Sequence, residues 1–305
     1  MTDLSTPIEY RGTRAIDAVL ASGRFSPQLG GWLVAAGTWL MIVGLALPLG
    51  RQFRTGQEAF CYWIANLRVP YAMSDWTQPI AYVYSPAFLQ LIEPLARLPW
   101  LAFFGIWTAL LLLAVRFLTG PRLFAVGILL ATIELIGGNI SLLLAAAVVI
   151  GFRWPAVWAF VLLTKVTPGI GLLWFAVRGE WRSLGIALGT TALVVAGSAI
   201  LMPGAWLEWI DLLVRLAGRD GTWAAIPIPF LVRLPIAIAV VVWGARTDRR
   251  WTVPVAAMLA LPALWYGSLS MLLALIALRE PADTARPENE SGWLPVTLRR
   301  FRLRG

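Results

Sequence analysis

The chain has 305 residues, of which 59% are apolar and only 13% charged, with a net charge of +9 and a mean hydropathy of +0.75. Soluble domains carry about 25% charged residues, so this composition leaves no room for a soluble domain. The absence of histidine excludes histidine-based catalysis and any Cys/His metal cluster, and the single cysteine, Cys61, excludes an intrachain disulfide.

Residues 1–30 are polar, mixed in charge and without a signal-peptide pattern, and read as a cytoplasmic segment. Apolar runs then recur as far as residue 278. A bilayer core of about 30 Å needs roughly 20 apolar residues per helix. The predicted spans are 32–49, 100–115, 123–137, 141–150, 156–163, 169–177, 184–202, 230–245, 252–263 and 268–278. The expected fold is therefore all-α, a polytopic transmembrane helical bundle of about ten spans over residues 31–278, with a first outer loop at 51–99 and a basic cytoplasmic tail at 279–305. Several spans are too short to cross alone, and the break at 165–168 either separates two short helices or interrupts one.

Arginine placement orients the bundle. Arg116 and Arg122, Arg153, Arg178 and Arg182, Arg246, Arg249 and Arg250, and the arginines of the tail all fall on one side when the N-terminus is inside. Much of the net positive charge is thus a topology signal on a multi-pass plasma-membrane protein and does not point to nucleic acid. The terminal "LRRFRLR" suits anionic lipid. The opposite face receives 51–99, 138–140, 164–168, 203–229 and 264–267. Two stretches there have interfacial periodicity. In "EAFCYWIANL" the apolar stripe is Phe60, Trp63, Ile64 and Leu67, with Glu58, Tyr62 and Asn66 on another face. In "WLEWIDLLVRL" the stripe is Trp206, Trp209, Ile210 and Leu213, against Glu208, Asp211 and Arg215, with Asp211 and Arg215 spaced for an i, i+4 pair.

The chemistry-bearing residues gather on the outer side. Lys165 is the only lysine among 25 basic residues and stands in an apolar stretch three residues before Pro168. Intramembrane ionisable groups usually face a cavity or a partner, and proline disfavours helix on its N-terminal side. An irregular turn there offers a mobile point charge suited to phosphate; the plainer alternative is a snorkelling lysine at a helix end. Arg233, between Pro229 and Pro235, either snorkels or forks a phosphate or carboxylate. Glu58 lies beside Tyr62 among aromatic neighbours, where partial burial would bring its pKa toward that of a general base; Asp75 is the spare acid of the same loop. Glu134, five residues before Asn139, is expensive in a span unless paired, with Lys165 or Arg233 as candidate partners. Ser85 with Pro86 is an N-cap followed by proline at the first helical position, and Tyr82, Tyr84 and Trp100 suit an interfacial level, so 85–96 reads as a short re-entrant helix.

In this order, "QEAFCYW", "YSPAFLQLIEPLARLPW", "GGNISLL" and "LLTKVTPGIGLLWFAVRGEW" resemble glycosyltransferase family 87, membrane glycosyltransferases of the GT-C class. The resemblance covers roughly Gly56 to Arg182 and extends weakly to Arg233. It implies sugar transfer, mannose favoured and arabinofuranose as the alternative, from a polyprenyl-phosphate donor to a cell-envelope glycolipid or polysaccharide acceptor. The site would face the outer side of the plasma membrane, with both termini cytoplasmic. Glu58 would be the catalytic base, in place of the family's aspartate. Tyr62, Asp75, Tyr84 and Asn139 would line the substrate site, and Lys165 and Arg233 would hold the phosphate. No metal or other cofactor is implied, because the donor carries a single phosphate. Two rivals keep some of these features: a non-catalytic polyprenyl-phosphate-binding scaffold, and a transporter or flippase, for which the internal repeat is missing.

Overall fold

The computed structural model describes residues 27–46, 55–65, 70–71, 82–217 and 224–279. Its elements in order are α1 (Pro27–Leu45), α2 (Gln57–Ile64), α3 (Pro86–Ala96), α4 (Trp100–Leu130), α5 (Thr132–Gly137) and α6 (Ser141–Gly151). A tight turn at Pro155–Val157 runs into α7 (Trp158–Thr164), and Thr167–Leu172 runs into α8 (Leu173–Val177). Then come α9 (Trp181–Leu201), α10 (Pro203–Ala217), α11 (Phe230–Arg246), α12 (Thr252–Leu259), and Tyr266–Leu273 running into α13 (Ala274–Ala277). Among the described residues the fold is all helical, as expected.

Three segments are long and apolar enough to cross a membrane, Gln28–Leu45, Trp100–Leu130 and Trp181–Leu201, against the ten expected. Apolar helices of intermediate length lie at Ser141–Gly151, Pro155–Thr164, Thr167–Val177 and Tyr266–Ala277. Proline and glycine account for much of the shortfall, because they cut the apolar sequence into pieces that pair side by side. α4 is no straight rod. At Gly120 the backbone leaves the helix (φ 69°, ψ 177°), a geometry that favours glycine. The arm after Gly120 folds back, so that a methyl group on Gly127 would meet Val115 and Thr119. The two expected segments 100–115 and 123–137 thus exist as the arms of this turn, with Arg116 and Arg122 on either side of it. The break at Lys165 likewise separates two short helices: the chain reverses, and Gly171 comes to rest against Trp158.

These turns define two ends. At one, Arg178 pairs with Asp248 at 2.8 Å, Arg250 lies over the Phe152 ring, and Leu123, Trp251 and Arg279 line a cleft of about 500 Å³. The arginine-bearing turns therefore share a face. At the other end the Gly56 N–H donates to Ile136 O at 2.7 Å, Ile226 N–H donates to Leu264 O at 3.0 Å, and the Ser85 hydroxyl donates to Leu163 O.

α9 turns Leu193, Val194, Ile200 and Leu201 outward, a patch that a water-soluble protein rarely leaves bare. α10 has three faces where two were expected. Ala205, Trp206, Trp209 and Leu212 are buried against the protein, Leu207, Ile210 and Val214 are exposed, and Glu208, Asp211 and Arg215 form the polar third. Trp209 reaches Val83 O and Trp206 reaches the Ser198 hydroxyl, which sets the buried face. Ile210 is therefore outside the face expected for it, while the Asp211–Arg215 pair is present at 2.7 Å.

Candidate functional site

The site is assembled from four short segments. α2 starts at Gly56, whose positive φ of 72° and bond to Ile136 seat it on the end of α5. Beneath α2 lies the turn Gly137–Gly138–Asn139. Gly138 has φ 72°, and a methyl group there would sit 2.8 Å from the Ala59 Cβ. The indole of Trp107 donates to Gly138 O at 2.7 Å and fixes the turn from below. Glu58 rests on this floor, its Cγ 3.9 Å from where a Gly137 side chain would begin. Gly138→Ala is expected to destabilise the detergent-solubilised protein by about 2 kcal/mol or more, from left-handed strain plus overlap with Ala59. A thermal melt that does not move would remove this turn from the account.

The wall beside α2 is aromatic. Tyr62 is fully buried, and its hydroxyl meets that of Tyr84 at 2.9 Å. Phe88 and Trp107 stack edge-on and tilted against Tyr62, and the Tyr71 hydroxyl donates to Tyr84 O. This reverses the periodicity expected of α2: Tyr62 turns into the protein, and Phe60 and Trp63, half-buried, pack on Trp100 at the edge. Tyr62 and Tyr84 therefore support the site from behind and present little surface to a substrate. Ser85 caps α3 as expected, accepting from Phe88 N–H at 3.2 Å, and its own proton goes to Leu163 O, two residues before Lys165.

Lys165 ends α7 with an extended backbone (φ −137°, ψ 112°) and is half-buried. It makes no direct ion pair among the described residues, but its charge acts on both Glu58 and Glu134. Glu134 is 1% exposed. Its Oε1 accepts the Ser141 N–H at 2.6 Å, and its Oε2 is buried without a partner beneath Gly267, where a Cβ would come within 2.6 Å of it. Glu58 has no hydrogen-bond partner among the described residues. Surrounding protein desolvates its carboxyl and pushes its pKa above the ordinary carboxylate range, and the charge of Lys165 pulls it part of the way back. A half-buried carboxylate of raised pKa, with an ammonium in its field, is suited to accept a proton.

The remaining candidates divide. Asn139 is buried, and its Oδ1 accepts the Ile140 N–H at 2.6 Å, so it shapes the turn before α6. Asp75 lies outside the described residues. Arg233 is 1% exposed and does not offer its fork to a ligand. Its guanidinium donates to the carbonyl oxygens of Ile228 (2.9 Å), Leu259 (2.8 Å), Leu261 (2.6 Å) and Pro262 (3.0 Å). It caps the C-terminal end of α12, where a cation and free carbonyls attract each other. The phosphate role expected for it gives way to this structural one. Arg233→Met is expected to destabilise the fold by about 3–5 kcal/mol, because buried carbonyls lose a charged donor. Denaturation in detergent measures it; an unchanged midpoint would return Arg233 to the list of ligand groups.

Trp107 and Gly267 belong to the site and carry no signal in the sequence, since each acts through a backbone carbonyl or through the absence of a side chain. Among the described residues no three His, Cys, Asp or Glu side chains come together as a metal group would require. Comparison of the chain with protein-family models, with curated proteins and with solved structures returned no match.

Proposed function

We propose that the chain is a polytopic GT-C-type membrane glycosyltransferase of about ten spans, its shorter apolar helices paired to cross together. It moves a sugar, mannose favoured, from a polyprenyl-phosphate donor to a cell-envelope glycolipid or polysaccharide on the outer face of the plasma membrane. The observation that carries this reading is the meeting of Glu58 and Lys165, an unpartnered carboxylate and the single lysine, above a glycine turn and beside a capped re-entrant helix. The clustering of the arginine-bearing turns at the other end supports the orientation.

In this reading Glu58 takes the proton of the acceptor hydroxyl. The hydroxyl oxygen attacks the anomeric carbon and inverts it, and the bond from that carbon to the phosphate oxygen breaks. The electron pair leaves with the lipid phosphate, whose growing charge the Lys165 ammonium stabilises.

The test is transfer from radiolabelled polyprenyl-phosphate-mannose to membrane lipids by the purified protein, repeated with the arabinofuranose donor. Transfer with either supports the reading and names the sugar. Silence with both, alongside Lys165-dependent binding of polyprenyl phosphate, identifies a scaffold. Exposure of Lys165 alternately to the two sides of the membrane identifies a transporter.

A further inference from the structure

The mechanism above uses Glu58 and Lys165 and leaves Glu134 idle, yet Glu134 is the most deeply buried acid of the cluster. Two carboxylates and one ammonium share a poorly hydrated space, so the three cannot all be independent. Burying an unpaired charge is costly, and a single ammonium can offset only one carboxylate. The geometry separates the two acids. Glu134 receives the Ser141 N–H at 2.6 Å, at the start of the eleven-residue α6, where backbone amides favour negative charge. Its second oxygen is an acceptor without a donor, buried among protein atoms. Glu58 is half-buried and has no hydrogen bond among the described residues to favour its ionised form. Lys165 is the one cation whose field reaches both.

We propose that Glu134 is the resident counter-ion of Lys165: it keeps the ammonium charged and in place, and so leaves Glu58 as the carboxyl of the cluster that is free to exchange a proton. Glu134 is a positioning residue in this scheme and touches no substrate. Its part in sugar transfer rests on the function proposed above, but the charge pairing itself does not. The charged groups facing Lys165 are Glu58 from α2 and Glu134 from α5; Cys61, Tyr62 and Tyr84 surround Glu58.

The single lysine makes a direct test available. The folded protein is pulsed with an acetylating reagent across a pH series, and acetylation of the peptide carrying Lys165 is followed by mass spectrometry. Only the deprotonated amine reacts, so the rate reports its charge state without any turnover. Removing a neighbouring negative charge favours the neutral amine. Glu134→Gln is expected to label about tenfold faster than wild type at neutral pH, its profile displaced about one unit toward acid. Glu134→Asp, which keeps the charge but retracts it by one methylene, falls between them, about threefold above wild type. An overlay of Glu134→Gln on wild type overturns the proposal, as does a Glu58→Gln variant that produces the whole displacement while Glu134→Gln produces none. If the glutamine variant does not fold, the aspartate variant carries the test, and its overlay on wild type overturns it. Failure of the glycosyltransferase reading would appear separately, in the transfer assay.

Discussion

Glu58→Gln is expected to lower sugar transfer by about 10²–10⁴-fold, the range over which a positioned general base contributes, while donor affinity changes by less than about threefold. The substitution keeps the shape of the side chain and removes its basicity, so the loss falls on turnover. The pH dependence of the wild type gives a second reading of the same group. Desolvation holds the Glu58 carboxyl above the usual carboxylate range. The active form is the deprotonated one, so activity is expected to fall as pH drops through that raised value. The acid limb then lies at higher pH than for a solvated glutamate, and it disappears in Glu58→Gln. A wild-type profile flat down to the ordinary glutamate range, or a glutamine variant with normal turnover, would remove Glu58 from the chemistry and leave the scaffold reading.

Lys165→Ala is the companion experiment. The loss of one preorganised donor to a developing anion is expected to reduce kcat/KM by about 10²–10³-fold. Binding of polyprenyl phosphate should weaken with it, which separates this residue from Glu58. Lys165→Arg retains charge but spreads it over a planar fork, so partial recovery is expected. Because the chain has no other lysine, acetylation of the wild type should imitate the alanine variant, and Lys165→Arg should resist the reagent. Acetylated protein that transfers sugar at the wild-type rate would rule out the phosphate role.

What could be read from the sequence follows from how local each feature is. The Ser85–Pro86 cap, the Asp211–Arg215 pair and the break at Lys165 each depend on residues within one turn of one another, and each is found where expected. The turn at Gly120 was announced by Arg116 and Arg122, whose charges cannot lie within an apolar run. Arg233 was not legible. Its acceptors are backbone carbonyls up to 29 residues away, and a carbonyl is the same in every residue. The face of α2 was misread for a related reason. Apolar periodicity marks the side that avoids water, but here lipid and protein compete for that role. Tyr62 goes to the protein because Tyr84, 22 residues further on, meets its hydroxyl. Span number failed where proline and glycine divided the apolar sequence. Local composition marks each piece, and only the contacts of Gly127 and Gly171 show which pieces lie side by side.

The hairpin that carries Lys165 has a further consequence. Its arms, Pro155–Thr164 and Thr167–Val177, rise about 17 Å and about 20 Å, whereas α9, which starts beside the same arginine-bearing turn, rises about 31 Å. If these helices stand along the bilayer normal, the ammonium lies roughly 11–14 Å below the far end of α9. A phosphate on a polyprenyl chain would then have to descend past the plane of its neighbouring headgroups to reach it, with α2 and α3 forming the shaft. Leaflet thickness thereby becomes a determinant of reactivity: a thin leaflet lowers the headgroup toward the amine, and a thick one strands it above.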